Sequence, residues 1–123
     1  MDFNNRLITA EFREALKDYP LYSQDNKKKD AICVAVFRLG KIRWYILEGE
    51  KNSDDFRLYG IVVGLYETEY GYNSANEMAD VSVNIDEYGI HGMQIEQDKQ
   101  FKPCALSEIQ DDELQQFLTK LYG

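Results

Sequence analysis

The sequence predicts an α+β fold: a mostly antiparallel sheet of about 4–6 strands with an N-terminal helix, a short middle helix and a C-terminal helix packed on it. Three observations carry this. Strand-like runs follow one another through residues 31–65 with only short turns between them. Helical spacing of apolar residues appears at both ends of the chain. No strand–helix–strand alternation of the parallel-sheet type runs through it. A chain of 123 residues fits one domain, 1–123.

The first helix is expected from Ala10 to Asp18. Thr9 stands at its N-cap and Glu11 and Glu14 early, where the helix dipole favours acid. Phe12, Ala15, Leu16 and Tyr19 form its apolar stripe, and Pro20 stops it. The polar stretch Ser23 to Asp30 reads as an exposed loop. Ala31 to Leu39 is apolar on both alternating sets of positions, the mark of a central strand covered on both faces. Gly40 turns the chain into Lys41–Glu48, where Ile42, Trp44 and Ile46 share one face and Arg43 and Tyr45 the other.

Gly49 to Asp55 reads as a polar connection, with Glu48, Glu50, Asp54 and Asp55 as solvated acidic surface. Phe56 to Leu65 is the third strand. Gly60 and Gly64 inside it mark a bulge, a bend or a close backbone approach. Glu69 to Asn73 is a short fourth strand, and Ser74 with Glu77 forms a capping box for the middle helix, Met78 facing inward. Val81, Val83 and Ile85 alternate with polar residues as in a half-buried strand, and Met93 to Glu96 is a further extended segment. Beyond Pro103, Leu114, Phe117, Leu118 and Leu121 recur at helical spacing as the stripe of the C-terminal helix. With strands grouped between helices, all helices are expected on one face of the sheet.

The net charge of −8 opposes a phosphate backbone, and the one basic cluster, Lys27-Lys28-Lys29, lies between Asp25 and Asp30. Direct nucleic-acid binding is therefore not expected. No apolar run reaches the ~20 residues of a membrane span, and Met1–Arg6 lacks a signal peptide's pattern, so a cytoplasmic protein without membrane contact is expected. Cys33 and Cys104 have no metal or redox spacing and read as buried hydrophobes.

Catalytic signatures are few. There is no P-loop, no G-x-G-x-x-G and no G-x-S-x-G, so no cofactor is expected. His91, in Tyr88-Gly89-Ile90-His91-Gly92, reads as a residue of a glycine-bracketed turn without a companion ligand. Glu96 and Asp98, two apart, could point the same way from an extended segment, as could Glu67 and Glu69. Clustered carboxylates of this kind can hold a divalent cation and support hydrolysis. An acidic chain also produces such pairs by chance. Trp44, Tyr70, Gly71 and Tyr72 are the candidate binding residues, since Trp and Tyr bury much area while ordering few rotamers. Core packing competes for Trp44, between Ile42 and Ile46, and a turn requirement for Gly71.

The order of several short motifs adds a resemblance. Pro20-Leu21-Tyr22-Ser23 is followed by Trp44-Tyr45 with Glu48-Gly49, then by Asp55-Phe56-Arg57-Leu58-Tyr59-Gly60 and Glu69-Tyr70-Gly71-Tyr72-Asn73-Ser74 before Glu77. Ile95-Glu96-Gln97-Asp98, Phe101-Lys102-Pro103 and Leu106-Ser107-Glu108 complete the series. Over Leu7 to Ile109 the chain resembles the bacterial domain-of-unknown-function family catalogued under the number 2958, often encoded on plasmids and integrative elements. The family carries no settled activity, so the resemblance implies a fold and a cellular context. Its pattern has arginine between the acidic pair where Gln97 stands here, which weakens a mechanism built on a charged triplet, and it has no counterpart of His91.

Two functional expectations follow. The first is a non-catalytic protein-interaction factor of a mobile element, of open oligomeric state, one version being an anti-defence DNA mimic with acidic residues along one stripe. The second is a small metal-dependent hydrolase or nuclease using Glu69, Glu96 and Asp98, which requires those carboxylates to converge.

Overall fold

The computed structural model of the chain describes residues 5–85 and 90–123. Its centre is a five-stranded antiparallel sheet. Strands β1 (Ile32–Cys33), β2 (Ala35–Leu39), β3 (Ile42–Asn52), β4 (Asp55–Val63), β5 (Glu69–Ser74), β6 (Ser82–Ile85), β7 (Ile90–Gln94), β8 (Glu96–Gln97) and β9 (Cys104–Ala105) follow in chain order. The main sheet runs β5-β4-β3-β2-β8, and β1–β9 and β6–β7 form separate antiparallel pairs. The helices are α1 (Ala10–Leu16), α2 (Ala75–Asp80) and α3 (Asp112–Tyr122). The α+β class and the three helices are as the sequence predicts.

The helices do not share a face. Phe12 and Leu16 of α1 and Ala75 and Met78 of α2 bury with Phe37, Trp44 and Ile46 on the first face. Leu114 and Leu118 of α3 bury with Val36, Tyr45, Leu47, Ile61 and Val63 on the second. Successive residues of a strand point to opposite faces, and in β2 and β3 both sets are apolar, so each face must be covered. Each such side chain taken fully from water contributes about 1.5–3 kcal/mol. Phe12 meets Phe37 edge-on, with centroids 5.3 Å apart.

The caps read from the sequence are in place. Thr9 accepts the N–H of Phe12 at 3.1 Å, and Ser74 that of Glu77 at 3.2 Å. Helix α3 starts at Asp111, whose Oδ1 accepts the N–H of Leu114 at 3.2 Å. The same carboxylate receives two nitrogens of Arg43 and the hydroxyl of Tyr45, locking α3 to β3. In α3 the stripe is Leu114, Phe117, Leu118 and Tyr122, whereas Leu121 is exposed.

Several boundaries differ from expectation. The 31–39 run breaks at Val34 into β1 and β2, while β2 is, as expected, an interior strand covered on both faces. The expected connection after Gly49 is instead strand, since β3 continues to Asn52 and turns over Ser53 (φ +57°) into β4. His91 falls within strand β7, not a turn; its side chain and residues 86–89 lie outside what is described. Cys33 and Cys104 oppose each other across β1–β9 as free thiols, Cys33 fully buried with its thiol pKa pushed up by burial. No described helix is long and apolar enough to cross a membrane.

Candidate interaction face

A bulge in β3 organises the site. Ile46 opposes Gly60 and Glu48 opposes Tyr59, leaving Leu47 without a partner in the ladder. A Cβ on Gly60 would lie 1.9 Å from the carbonyl oxygen of Tyr45, the close backbone approach that glycine there predicts. The bulge resets the alternation, so Glu48 follows Leu47 onto the second face. There Glu48 is only 2% exposed, not solvated surface. Its two oxygens accept the N–H groups of Tyr22 (2.8 Å) and Gln24 (2.7 Å), and Glu50 accepts that of Leu21 (2.9 Å).

The loop is fastened further by Gln24, a buried residue in a stretch expected to be exposed. Its amide nitrogen donates to the carbonyls of Ile32 and of the bulged Leu47, each at 2.8 Å. Its amide oxygen accepts the N–H of Ile32 at 2.6 Å. The carbonyl freed by the bulge therefore has a partner, as a buried backbone group requires.

Held this way, Tyr22 adopts φ +75°. For a bulky L residue this is an outlier costing about 1–2 kcal/mol. Its hydroxyl neighbours that of Tyr72 on β5, and this neighbour pushes the Tyr72 pKa up to about 12. The Arg57 guanidinium lies 4.4 Å from the centroid of the Tyr72 ring. Below run Tyr59 (4.8 Å from Tyr72), Tyr70 (5.8 Å from Tyr59) and Phe117 of α3 (5.7 Å from Tyr70). The Tyr70 hydroxyl meets that of Tyr122 at 2.9 Å. Burial, then this bond, raises the Tyr70 pKa.

Among the described residues, five large hydrophobic side chains are exposed: Tyr22, Leu65, Tyr66, Tyr72 and Leu121. Tyr72 lies on β5, and Leu65 and Tyr66 precede it, whereas Leu121 is on α3. Leu65 and Tyr66, the latter 95% exposed, form the connection into β5. Tyr22 neighbours Tyr72, and Tyr122 of α3 bonds Tyr70. Strand β5 is also the end of the sheet, six residues long, in unbroken register with β4 and without proline or lysine. The opposite edge is blunted, as natural sheet edges usually are. There β8 is two residues, and Asp98, paired with Arg38 at 3.1 Å, precedes Lys99, Lys102 and Pro103.

The sequence-derived candidates divide accordingly. Tyr72 is on the exposed face. Tyr70 is half-buried beneath it as support. Gly71, cross-strand from Gly60, has open space where a Cβ would be and no positive φ, so no turn requires it. Trp44 is buried under the first face and is core, not contact surface. The carboxylates do not converge. Glu69 stands opposite Val62, Val62 opposite Trp44, Trp44 opposite Phe37, and Phe37 opposite Gln97, the residue beside Glu96 and Asp98. Four strand spacings, roughly 19 Å, separate Glu69 from the other two. Those two line a cleft of about 1030 Å³ with Arg6, Arg38 and Lys99. Asp98 there is a turn residue accepting the N–H of Gln100 at 3.1 Å. Among the described residues no three metal-ligating side chains gather.

Sequence reasoning missed the burial of Glu48 and Gln24 and the exposure of Tyr22. The signal available was positional: Glu48 directly follows an apolar strand and precedes a glycine, where a solvated acid is out of place. No family model, no curated protein and no solved structure matches the chain.

Proposed function

We propose that the chain is a non-catalytic protein-interaction module, and, from the ordered motifs that resemble family 2958, an accessory factor of a bacterial mobile element. The observation that carries the interaction reading is the exposed Tyr72 on the end strand β5, with Tyr22 beside it and exposed Leu65 and Tyr66 in the connection leading into that strand. Isolated exposed apolar residues are ordinary, whereas a contiguous group marks an interaction site. Tyrosine and arginine are the residue types that dominate binding energy at such sites. The strained Tyr22, held by a buried carboxylate, is a second support, because backbone strain persists where the surroundings impose it and gathers at functional positions. The carboxylate hydrolase has no such support, with Glu69 at one edge of the sheet and Glu96 and Asp98 at the other.

The test is site-specific photo-crosslinking in host extract, with the probe at position 66 and, as control, at position 17 on α1's far end. A protein joined from 66, absent from 17 and lost on Tyr72→Ala, supports the reading. Equal products from both positions, or none from 66, overturns it.

A further inference from the structure

We infer that the β5 edge pairs with β5 of a second copy of this chain, antiparallel and centred on Gly71; this rests on the interaction reading above and names the occupant of that face. An antiparallel strand pair about a two-fold axis sets residue i opposite a fixed partner j, and j opposite i. Centring on Gly71 sets Tyr70 against the second copy's Tyr72, Tyr72 against its Tyr70, and Glu69 against its Asn73. No like charges then oppose each other, although each copy carries −8. Directly opposed aromatic pairs are among the favourable cross-strand contacts.

The second-face side chains repeat the same complementarity. Tyr22 stands beside Tyr72, and α3 ends over Tyr70 through Tyr122. The axis therefore brings exposed Tyr22 of one copy toward the Tyr122 end of α3 of the other, twice. On the first face Gly71 presents no side chain, so the backbones approach freely at the axis. A six-residue strand pair with these flanks is a small interface, which places dimerisation in the range of weak, concentration-dependent association.

Sedimentation of the full chain up to roughly 0.5 mM, together with Gly71→Cys under oxidised glutathione, tests the assignment. Open space at the Gly71 Cβ allows the thiol without disturbing the fold. The expected results are a reversible monomer–dimer equilibrium and a disulfide-linked dimer of Gly71→Cys. Tyr72→Glu should weaken sedimentation-detected dimerisation at least tenfold, and the wild-type chain should form no covalent dimer. A monomer at every concentration overturns the inference, as does a dimer that Gly71→Cys fails to trap. If the chain is monomeric while position 66 still crosslinks a host protein, the interaction reading stands and only its occupant changes. If both experiments are negative, both fail.

Discussion

The buried carboxylate of Glu48 accepts the backbone N–H of Tyr22 at 2.8 Å, and so a core charge fixes where an exposed aromatic ring points. The second oxygen takes the N–H of Gln24 at 2.7 Å. Hydrogen bonds to a charged group contribute about 1.5–3 kcal/mol each, and a buried donor left alone costs about 1–3 kcal/mol. Glu48→Ala is therefore expected to lose about 3 kcal/mol in urea unfolding. Glu48→Gln, which turns one acceptor into a donor facing a donor, should lose about 2 kcal/mol. Both should expose the 20–26 loop to proteolysis. A loss under about 0.5 kcal/mol for Glu48→Ala would mean that the loop is held by other contacts.

Acid stability should depend on Asp111. Burial works to raise its pKa, but the Tyr45 hydroxyl, the Arg43 guanidinium and the Leu114 N–H outweigh burial and leave it depressed. A carboxyl with a lower pKa folded than unfolded contributes stability that is complete above the unfolded value, near 4, and is lost as pH falls through the folded value. Asp55, held by Ser74, Asn76 and Phe56 against its own burial, acts in the same direction. The urea midpoint of the wild type should thus fall steeply between about pH 4 and pH 2. Asp111→Asn should be about 2 kcal/mol less stable at pH 7 and lose less on acidification. An unchanged acid slope in Asp111→Asn would remove Asp111 as a cause.

The elements were legible where a single periodicity or a single cap decides them. Thr9, Ser74 and the Leu114–Leu118 stripe needed only local spacing, and the structure places them as that spacing requires. What escaped was set by contacts between distant segments. Glu48 looks like one more surface acid until the bulge opposite Gly60 turns it inward beneath a loop 24 residues earlier in the chain. Trp44 shows the converse, because local spacing left core and contact open and only the packing of α1 and α2 decided for the core. The helices' division between two faces was within reach, since both alternating sets of β2 and β3 are apolar. The distance between Glu69 and Glu96 was not, because strand order is a property of the whole sheet.

The neighbouring hydroxyls of Tyr22 and Tyr72 should be visible in a tyrosine titration. The Tyr22 hydroxyl is the largest cause raising the Tyr72 pKa to about 12, followed by burial, while Arg57 acts in the opposite direction. An ordinary phenol is half-ionised near pH 10. In Tyr22→Phe the Tyr72 pKa should drop toward that value. Carbon-13 labelling of the tyrosine ring carbon that bears the hydroxyl, followed to about pH 11, reads the change. At that pH wild-type Tyr72 should remain mostly protonated, whereas in Tyr22→Phe it should be largely ionised. Identical titration of Tyr72 in wild type and Tyr22→Phe would show that the two rings are not coupled in solution.

Gly60 and Gly71 oppose each other across β4 and β5, yet the two should respond differently to the same substitution. A methyl on Gly60 would lie 1.9 Å from the Tyr45 carbonyl oxygen and 3.0 Å from the Ile46 Cα, both backbone atoms that cannot move without breaking the bulge. A methyl on Gly71 meets nothing within 4 Å. Gly60→Ala is therefore expected to cost about 3 kcal/mol or more, the upper end of what overpacking costs a core. Gly71→Ala should fall within about 0.5 kcal/mol of wild type, or stabilise slightly by removing glycine's freedom in the unfolded chain. Loss of the bulge would also release the Leu47 carbonyl from Gln24 and turn Glu48 out of register, so Gly60→Ala should share the loop proteolysis expected of Glu48→Ala. Denaturant unfolding of the two variants side by side decides the matter. Equal stabilities would mean that β3 and β4 pair without the bulge, and that Glu48 owes its burial to something other than the strand register.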